Sequence, residues 1–127
     1  MTTANRYLLA SAGLSLLLAT LLGAYGTHML QVNLSDSAWG AYERAVEYQF
    51  YHSLGLIGTI LLAAKHPDSR LIALSGWLLI AGIILFCGAI YATSFGAPAI
   101  VGAVAPIGGT AFMAGWLALT IGIIKTR

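Results

Sequence analysis

Charge is missing from most of this chain. All ten Lys, Arg, Asp and Glu residues lie outside four long apolar runs, at residues 7–26, 48–64, 71–92 and 100–124. Each run is close to the ~20 residues that a helix needs to cross a hydrocarbon core ~30 Å thick. An unpaired polar group in lipid costs several kcal/mol, and a backbone in lipid must satisfy its own hydrogen bonds, so runs this clean point to helices with lipid as solvent. The reading is all-α: an integral membrane protein built as an antiparallel four-helix transmembrane bundle, a single domain over residues 1–127.

Composition excludes the soluble classes. Hydrophobic residues make up 59% of the chain and charged residues 8%, against about 25% charged in soluble domains. Mean hydropathy is +0.87. No segment between the runs is long enough to bury a core of its own. A net charge of +2 with no run of Lys or Arg gives no basic face for nucleic acid. The first run, preceded by Arg6 and closed by Gly23-Ala24-Tyr25-Gly26, has some signal-peptide character. It exceeds the ~7–15 apolar residues of a signal sequence, so a retained first span is expected. The lone Cys87 lacks the electropositive, exposed setting of a reactive thiol and is expected to pack.

The basic residues sort by loop. Arg6, Lys65, Arg70, Lys125 and Arg127 fall on one side of the four spans, and Arg44, with Asp36, Glu43 and Glu47, on the other. Positive-inside bias places both termini in the cytoplasm and loops 27–47 and 93–99 in the periplasm of a bacterial inner (plasma) membrane. Small residues mark the expected helix seams, where close approach replaces the hydrophobic drive. They are Ser11, Ser15, Ala19, Gly23 and Thr27 in span one, Gly76, Gly82 and Gly88 in span three, and Gly108, Ala111, Gly115, Ala118 and Gly122 in span four. Pro106 predicts a kink inside span four. Pro67-Asp68-Ser69 predicts a tight turn in which Asp68 caps the next helix.

Residues 36–47 differ from the rest of the chain. Trp39, Tyr42, Val46 and Phe50 form an aromatic stripe at helical spacing, and Asp36, Glu43 and Glu47 occupy another face. This predicts a periplasmic amphipathic helix before the second span, lying at the interface or continuing into the span, with Ser35 or Asp36 as its N-cap.

Candidate chemistry gathers at the same end. His28 closes span one and His52 opens span two, and Glu43, Arg44, Glu47, Tyr48, Gln49 and Tyr91 fall at similar depth. With His28 and His52 turned toward each other, the pair would suit haem or a metal. The same residues suit a quinone or a lipid headgroup held with the help of Arg44, or a proton relay. The simplest use is a hydrogen-bonded polar cap. Two histidines without a third ligand, CxxCH or HExxH are a weak metal signal. No carboxylate lies near a midplane, which counts against a proton-coupled transporter. No nucleophile–base–orienter set or phosphate-cradling loop supports an enzyme.

These residues also resemble a family. Gly23-Ala24-Tyr25-Gly26-Thr27-His28-Met29-Leu30 is similar to the GAFGAHGL-type signature that closes the first span of the YgdD-like membrane proteins. Residues 43–52, built around Tyr48-Gln49 and His52, resemble the second signature. Residues 86–91 and Pro106-Ile107-Gly108-Gly109, with Gly115-Trp116, resemble the third and fourth. Thr27 and Met29 depart from the alanine and glycine usual there. The resemblance implies a four-helix inner-membrane protein of a domain of unknown function, with mitochondrial relatives. It groups His28, Tyr48, Gln49, His52 and Tyr91 at one end.

The expected function is that of a small accessory or binding protein without a cofactor. Its outer polar cluster would hold a lipid-like ligand or dock to a larger membrane complex or a second copy. The rival reading is a redox protein holding haem, metal or quinone through His28 and His52, with a small transporter last.

Overall fold

A computed structural model describes all 127 residues, Met1–Arg127. Short hydroxyl side chains set the helix starts. Thr2 accepts from the Asn5 N–H at 3.1 Å, Ser35 from Ala38 at 3.2 Å and Ser69 from Ile72 at 3.3 Å. Each satisfies one of the donors a helix N-terminus leaves open. The helices so capped are α1 (Thr3–Tyr25), α2 (Asp36–Lys65) and α3 (Arg70–Gly82). Ser69, not Asp68, therefore caps the third. A π-helical turn, Ile83–Cys87, carries α3 into α4 (Gly88–Ser94) so that the two form one rod.

Gly96, at φ 105°, turns the chain, and a 3-10 segment, Ala99–Val104, leads into α5 (Ala105–Ile124). Pro106 sits in the first turn of α5, where its missing N–H removes no helical hydrogen bond. The irregularity expected inside span four is thus a change from 3-10 to α geometry just ahead of the proline.

The molecule is all-helical, with four rods. Three of them, Thr3–Asn33, Arg70–Ser94 and Ala99–Ile124, are long and apolar enough to cross a membrane. The 30-residue α2 is long enough as well, but Gln49, His52, Ser53 and Thr59 lower its hydropathy, and all four are buried. No separate helix precedes it: residues 36–47 are its first turns, the second of the two arrangements the sequence allowed.

Its buried positions, Tyr42, Ala45, Gln49, His52, Ser53, Leu56, Thr59 and Ile60, follow three- and four-residue steps along one face. Helix α2 packs on α1 and on α3, and α3 packs on α5. The outward faces carry Leu14, Leu17, Leu18 and Leu21 on α1 and Met113 and Leu117 on α5, all exposed. Apolar surface on that scale suits a lipid surround.

Close approach depends on glycines that seat aromatic rings. A Cβ at Gly26 would overlap Tyr42, one at Gly55 would overlap Trp116, and one at Gly82 would overlap Phe112. The α5 seam matches the sequence pattern, with Gly108, Gly115, Ala118 and Gly122 buried and Phe112 among them. The α1 seam matches only in its middle: Ala19 is buried and Ser15 and Gly23 are half-buried, whereas Ser11 and Thr27 are exposed, their hydroxyls on their own helix at the Leu8 and Gly23 carbonyls. A strict four-residue row drifts about 40° per step on a 3.6-residue helix, so it leaves the interface within a few turns.

Thr59 Oγ1 is buried without a hydrogen-bond partner. Thr59→Val removes that stranded hydroxyl at nearly constant shape. Thermal unfolding in detergent should show unchanged stability or a gain of about 1 kcal/mol. A comparable loss would show that the hydroxyl is partnered.

Candidate functional site

Polar side chains inside a lipid-facing protein must find each other, and Gln49 shows how. It is 4% exposed, on the buried face of α2. Its Nε2 donates to the Ser15 carbonyl at 2.9 Å and to Ser15 Oγ at 3.2 Å, while its Oε1 accepts from the Tyr91 hydroxyl at 2.7 Å. Ser15 Oγ lies 2.7 Å from Ser53 Oγ. The relay therefore ties α1, α2 and α4 together through one amide used at both ends. Every member is neutral. It orders three helices without placing a charge in the core.

Two further side chains reach main-chain oxygens across helices. Cys87 Sγ–H donates to the Ala45 carbonyl at 3.3 Å, in keeping with a packed thiol. The Tyr42 hydroxyl donates to the Leu22 carbonyl, pinning the first turns of α2 against the end of α1.

His52 is buried in an aromatic stack. Its ring lies 3.5 Å from that of Phe112 at 16°, with Tyr48 at 5.4 Å and Trp116 at 5.8 Å. Nδ1–H donates to the Tyr48 carbonyl at 2.7 Å; a carbonyl only accepts, so the proton is on Nδ1 and the lone pair of the neutral ring on Nε2. Tyr48 stacks on Phe86 at 5.1 Å. His28 stands in the π-helical turn Gly26–Leu30 and is exposed. The two imidazoles thus occupy different surroundings, and the expectation that they turn toward one another is not met.

The residues singled out in the sequence therefore divide. Gln49, Tyr91, Tyr48 and His52 pack inward, whereas His28, Glu43, Arg44 and Glu47 remain outside. The row Arg44, Tyr48, His52 runs from exposed through half-buried to buried, because steps of four rotate it around the helix. No group of three or more His, Cys, Asp or Glu converges as a metal site would require.

Of the outer residues, Glu43 and Glu47 share a groove of about 200 Å³ between α1 and the first turns of α2. Gly23, Thr27, Trp39, Tyr42 and Val46 complete its lining. Trp39 stacks on Tyr42 at 5.5 Å and 15°, presenting an aromatic wall beside two carboxylates. Arg44 does not line it. Sequence reasoning had placed Trp39 only in an anchoring stripe and Ser15 only in a packing row. Ser53 and Phe112 carry no signal beyond a polar or aromatic residue within an apolar run, and Trp116 stands out only as part of the Gly115-Trp116 resemblance.

Comparison with known proteins bears on the same residues. The family described as a protein of unknown function, DUF423, matches residues 22–109. That interval holds the segments at 23–30, 43–52, 86–91 and 106–109. The UPF0382 membrane protein YwdK of Bacillus subtilis is 38% identical over 109 residues, 86% of this chain and 89% of its own length. The UPF0382 membrane protein SH2409 of Staphylococcus haemolyticus is 43% identical over 103 residues, 81% and 83% of the two chains. The UPF0382 inner membrane protein YgdD of Escherichia coli is 29% identical over 123 residues, 97% of this chain and 93% of its own. No solved structure matches.

Proposed function

This chain belongs to the DUF423 family of UPF0382 membrane proteins, and from that premise we propose that it is a small accessory protein of the bacterial inner membrane that holds an amine-bearing lipid headgroup. All four rods would cross the bilayer as an antiparallel bundle, α2 among them. Five of the six Lys and Arg residues, Arg6, Lys65, Arg70, Lys125 and Arg127, lie at the end that carries the termini, which supports cytoplasmic termini. The first turns of α2 would then stand at the periplasmic face.

The observation that carries the reading is the groove itself. Glu43 and Glu47 lie beside Trp39 and Tyr42 on one face of α2, lining a groove of about 200 Å³ with no Lys or Arg in it. Carboxylates beside an aromatic face suit an ammonium group, which gains from ion pairing and from the ring quadrupole together. The neutral relay through Gln49 supports the groove by holding α1 and α2 in register, and it has no direct part in the ligand.

Native mass spectrometry of the protein released from membranes tests this. Wild type should retain phosphatidylethanolamine. Glu43→Gln with Glu47→Gln should weaken that retention about tenfold, as expected for loss of two ion-pairing groups at a partly desolvated site. Arg44→Ala should leave it unchanged. The same lipid complement in wild type and the double variant would overturn the reading, as would recovery of a stoichiometric protein partner in place of lipid.

A further inference from the structure

A second cavity lies at the opposite end of the molecule. It measures about 650 Å³ and is bounded by the turn between α2 and α3 and by the C-terminal residues after α5. Lys65, Arg70, Lys125 and Arg127 line it, against Asp68 as the one acidic side chain. These cations come from two places in the sequence, residues 65–70 and 125–127, and the packing of α5 on α3 brings the two pairs together. Gly122 makes the convergence possible: a Cβ there would lie 3.1 Å from the backbone nitrogen of Ile72, so the end of α5 runs directly beside the first turn of α3. The first turn of α3 borders this region together with the C-terminal turns of α2 and α5, whose ends carry Lys65 and Lys125.

We propose that this cavity binds a phosphate group, carried by an anionic phospholipid of the adjoining leaflet. Positive-inside bias explains why basic residues occur at this end. It does not explain why four of them surround one cavity while Arg6, at the same end, does not line it. A volume of about 650 Å³ falls in the range of ligand sites, ~300–1,000 Å³. The lipid source follows from what lies below. Arg70, Leu74 and Trp77 form one exposed row on α3, with Leu74 48% and Trp77 57% exposed. A headgroup held at Arg70 leaves its acyl chain lying along apolar side chains that have no protein cover. Basic pockets of this kind between membrane helices recognise phosphate headgroups.

The test is native mass spectrometry of the detergent-purified full chain, titrated with phosphatidylglycerol or with phosphatidylcholine of the same acyl chains. Phosphatidylglycerol should be preferred, and Arg70→Gln with Lys125→Gln should weaken its binding about tenfold. Arg70→Lys with Lys125→Arg, which keeps both charges, should retain it and shows that the altered end still folds. Arg6→Gln should match wild type. Addition of excess inorganic phosphate separates the sources: persistence of the bound lipid supports the lipid headgroup, and full displacement with phosphate retained in its place assigns the site to free phosphate instead. Equal phosphatidylglycerol binding by wild type and the Arg70/Lys125 double Gln variant overturns the proposal. So does an equal loss in Arg6→Gln, which would reduce the effect to diffuse charge.

Discussion

Gly108→Leu should lower stability more than any other single glycine substitution in the chain. At Gly108 a Cβ would fall onto the main chain of Phe86 and Leu85, where α5 crosses the π-helical turn that follows α3. A side chain in the way can rotate aside, but a backbone held in a helical rod cannot. The interhelical spacing would have to open, and in lipid that spacing is the principal source of association, since lipid tails are as apolar as the residues they would replace. Overpacking of a core typically costs about 1–3 kcal/mol; with backbone as the obstacle, the upper part of that range is expected here.

Gly58 provides the comparison. Nothing lies within 4 Å of a Cβ built there, so Gly58→Leu should be tolerated or mildly favourable through helix propensity. Unfolding of both variants by heat or SDS in micelles, followed by helical circular dichroism, decides the matter. Equal midpoints would mean that α5 does not pack on α3 as described.

Gln49→Leu is the second large effect, and it arises from satisfaction rather than volume. Leucine nearly fills the space but leaves the Tyr91 hydroxyl with no acceptor and Ser15 Oγ with one fewer partner, in a region where Tyr91 is half-buried and Ser53 fully buried. A buried group stripped of its partner costs about 1–3 kcal/mol, more than the hydrogen bond itself contributes net. Removing the second partner as well, in Gln49→Leu with Tyr91→Phe, should recover part of the loss. The coupling from the full cycle should be about 1 kcal/mol, within the range found for hydrogen bonds between membrane helices. Additive effects of the two substitutions would mean that the Tyr91–Gln49 bond contributes nothing to the fold.

Helix caps illustrate how much of this could be read locally. Ser35 was one of two residues singled out for its position, and it caps α2; Asp68 was singled out for the next helix, and its neighbour Ser69 took the role. Both decisions lie within one turn of chain, and both needed the folded structure to settle which of two adjacent acceptors points back. The α5 glycines were legible for a similar reason, because alternating steps of three and four keep Gly108, Gly115, Ala118 and Gly122 on one face. The α1 row at steps of four was legible only in its middle, at Ser15, Ala19 and Gly23.

The grouping of His28 with His52 failed at a different level. Contacts of Gly26 with Tyr42 and of Ser15 with Gln49 and Ser53 put His28 beside the first turns of α2 and His52 several turns further along the bundle, so the two differ both in depth and in rotation about the helix axis. For a soluble helix, hydropathy supplies that rotation, because water takes one face and the core the other. Here lipid takes the outer face, and lipid is as apolar as the core. The exposed Leu14, Leu17 and Leu21 and the buried Leu56 and Leu79 are indistinguishable by composition.

Sequence alone was sufficient for the membrane class, for the positions and approximate ends of the helical segments, and for the family, since these depend on where charge is absent and on short ordered motifs. Tertiary structure decided the phase of each helix. It sent Gln49, Tyr91 and His52 inward, left His28 and Arg44 outside, set Gly23 and Thr27 beside Glu43 and Glu47 in one groove, and drew Lys65, Arg70, Lys125 and Arg127 around one cavity. The physical reason is that a helix in lipid is oriented by packing contacts with its neighbours, such as glycine against ring and amide against hydroxyl, and those contacts join residues far apart in the chain.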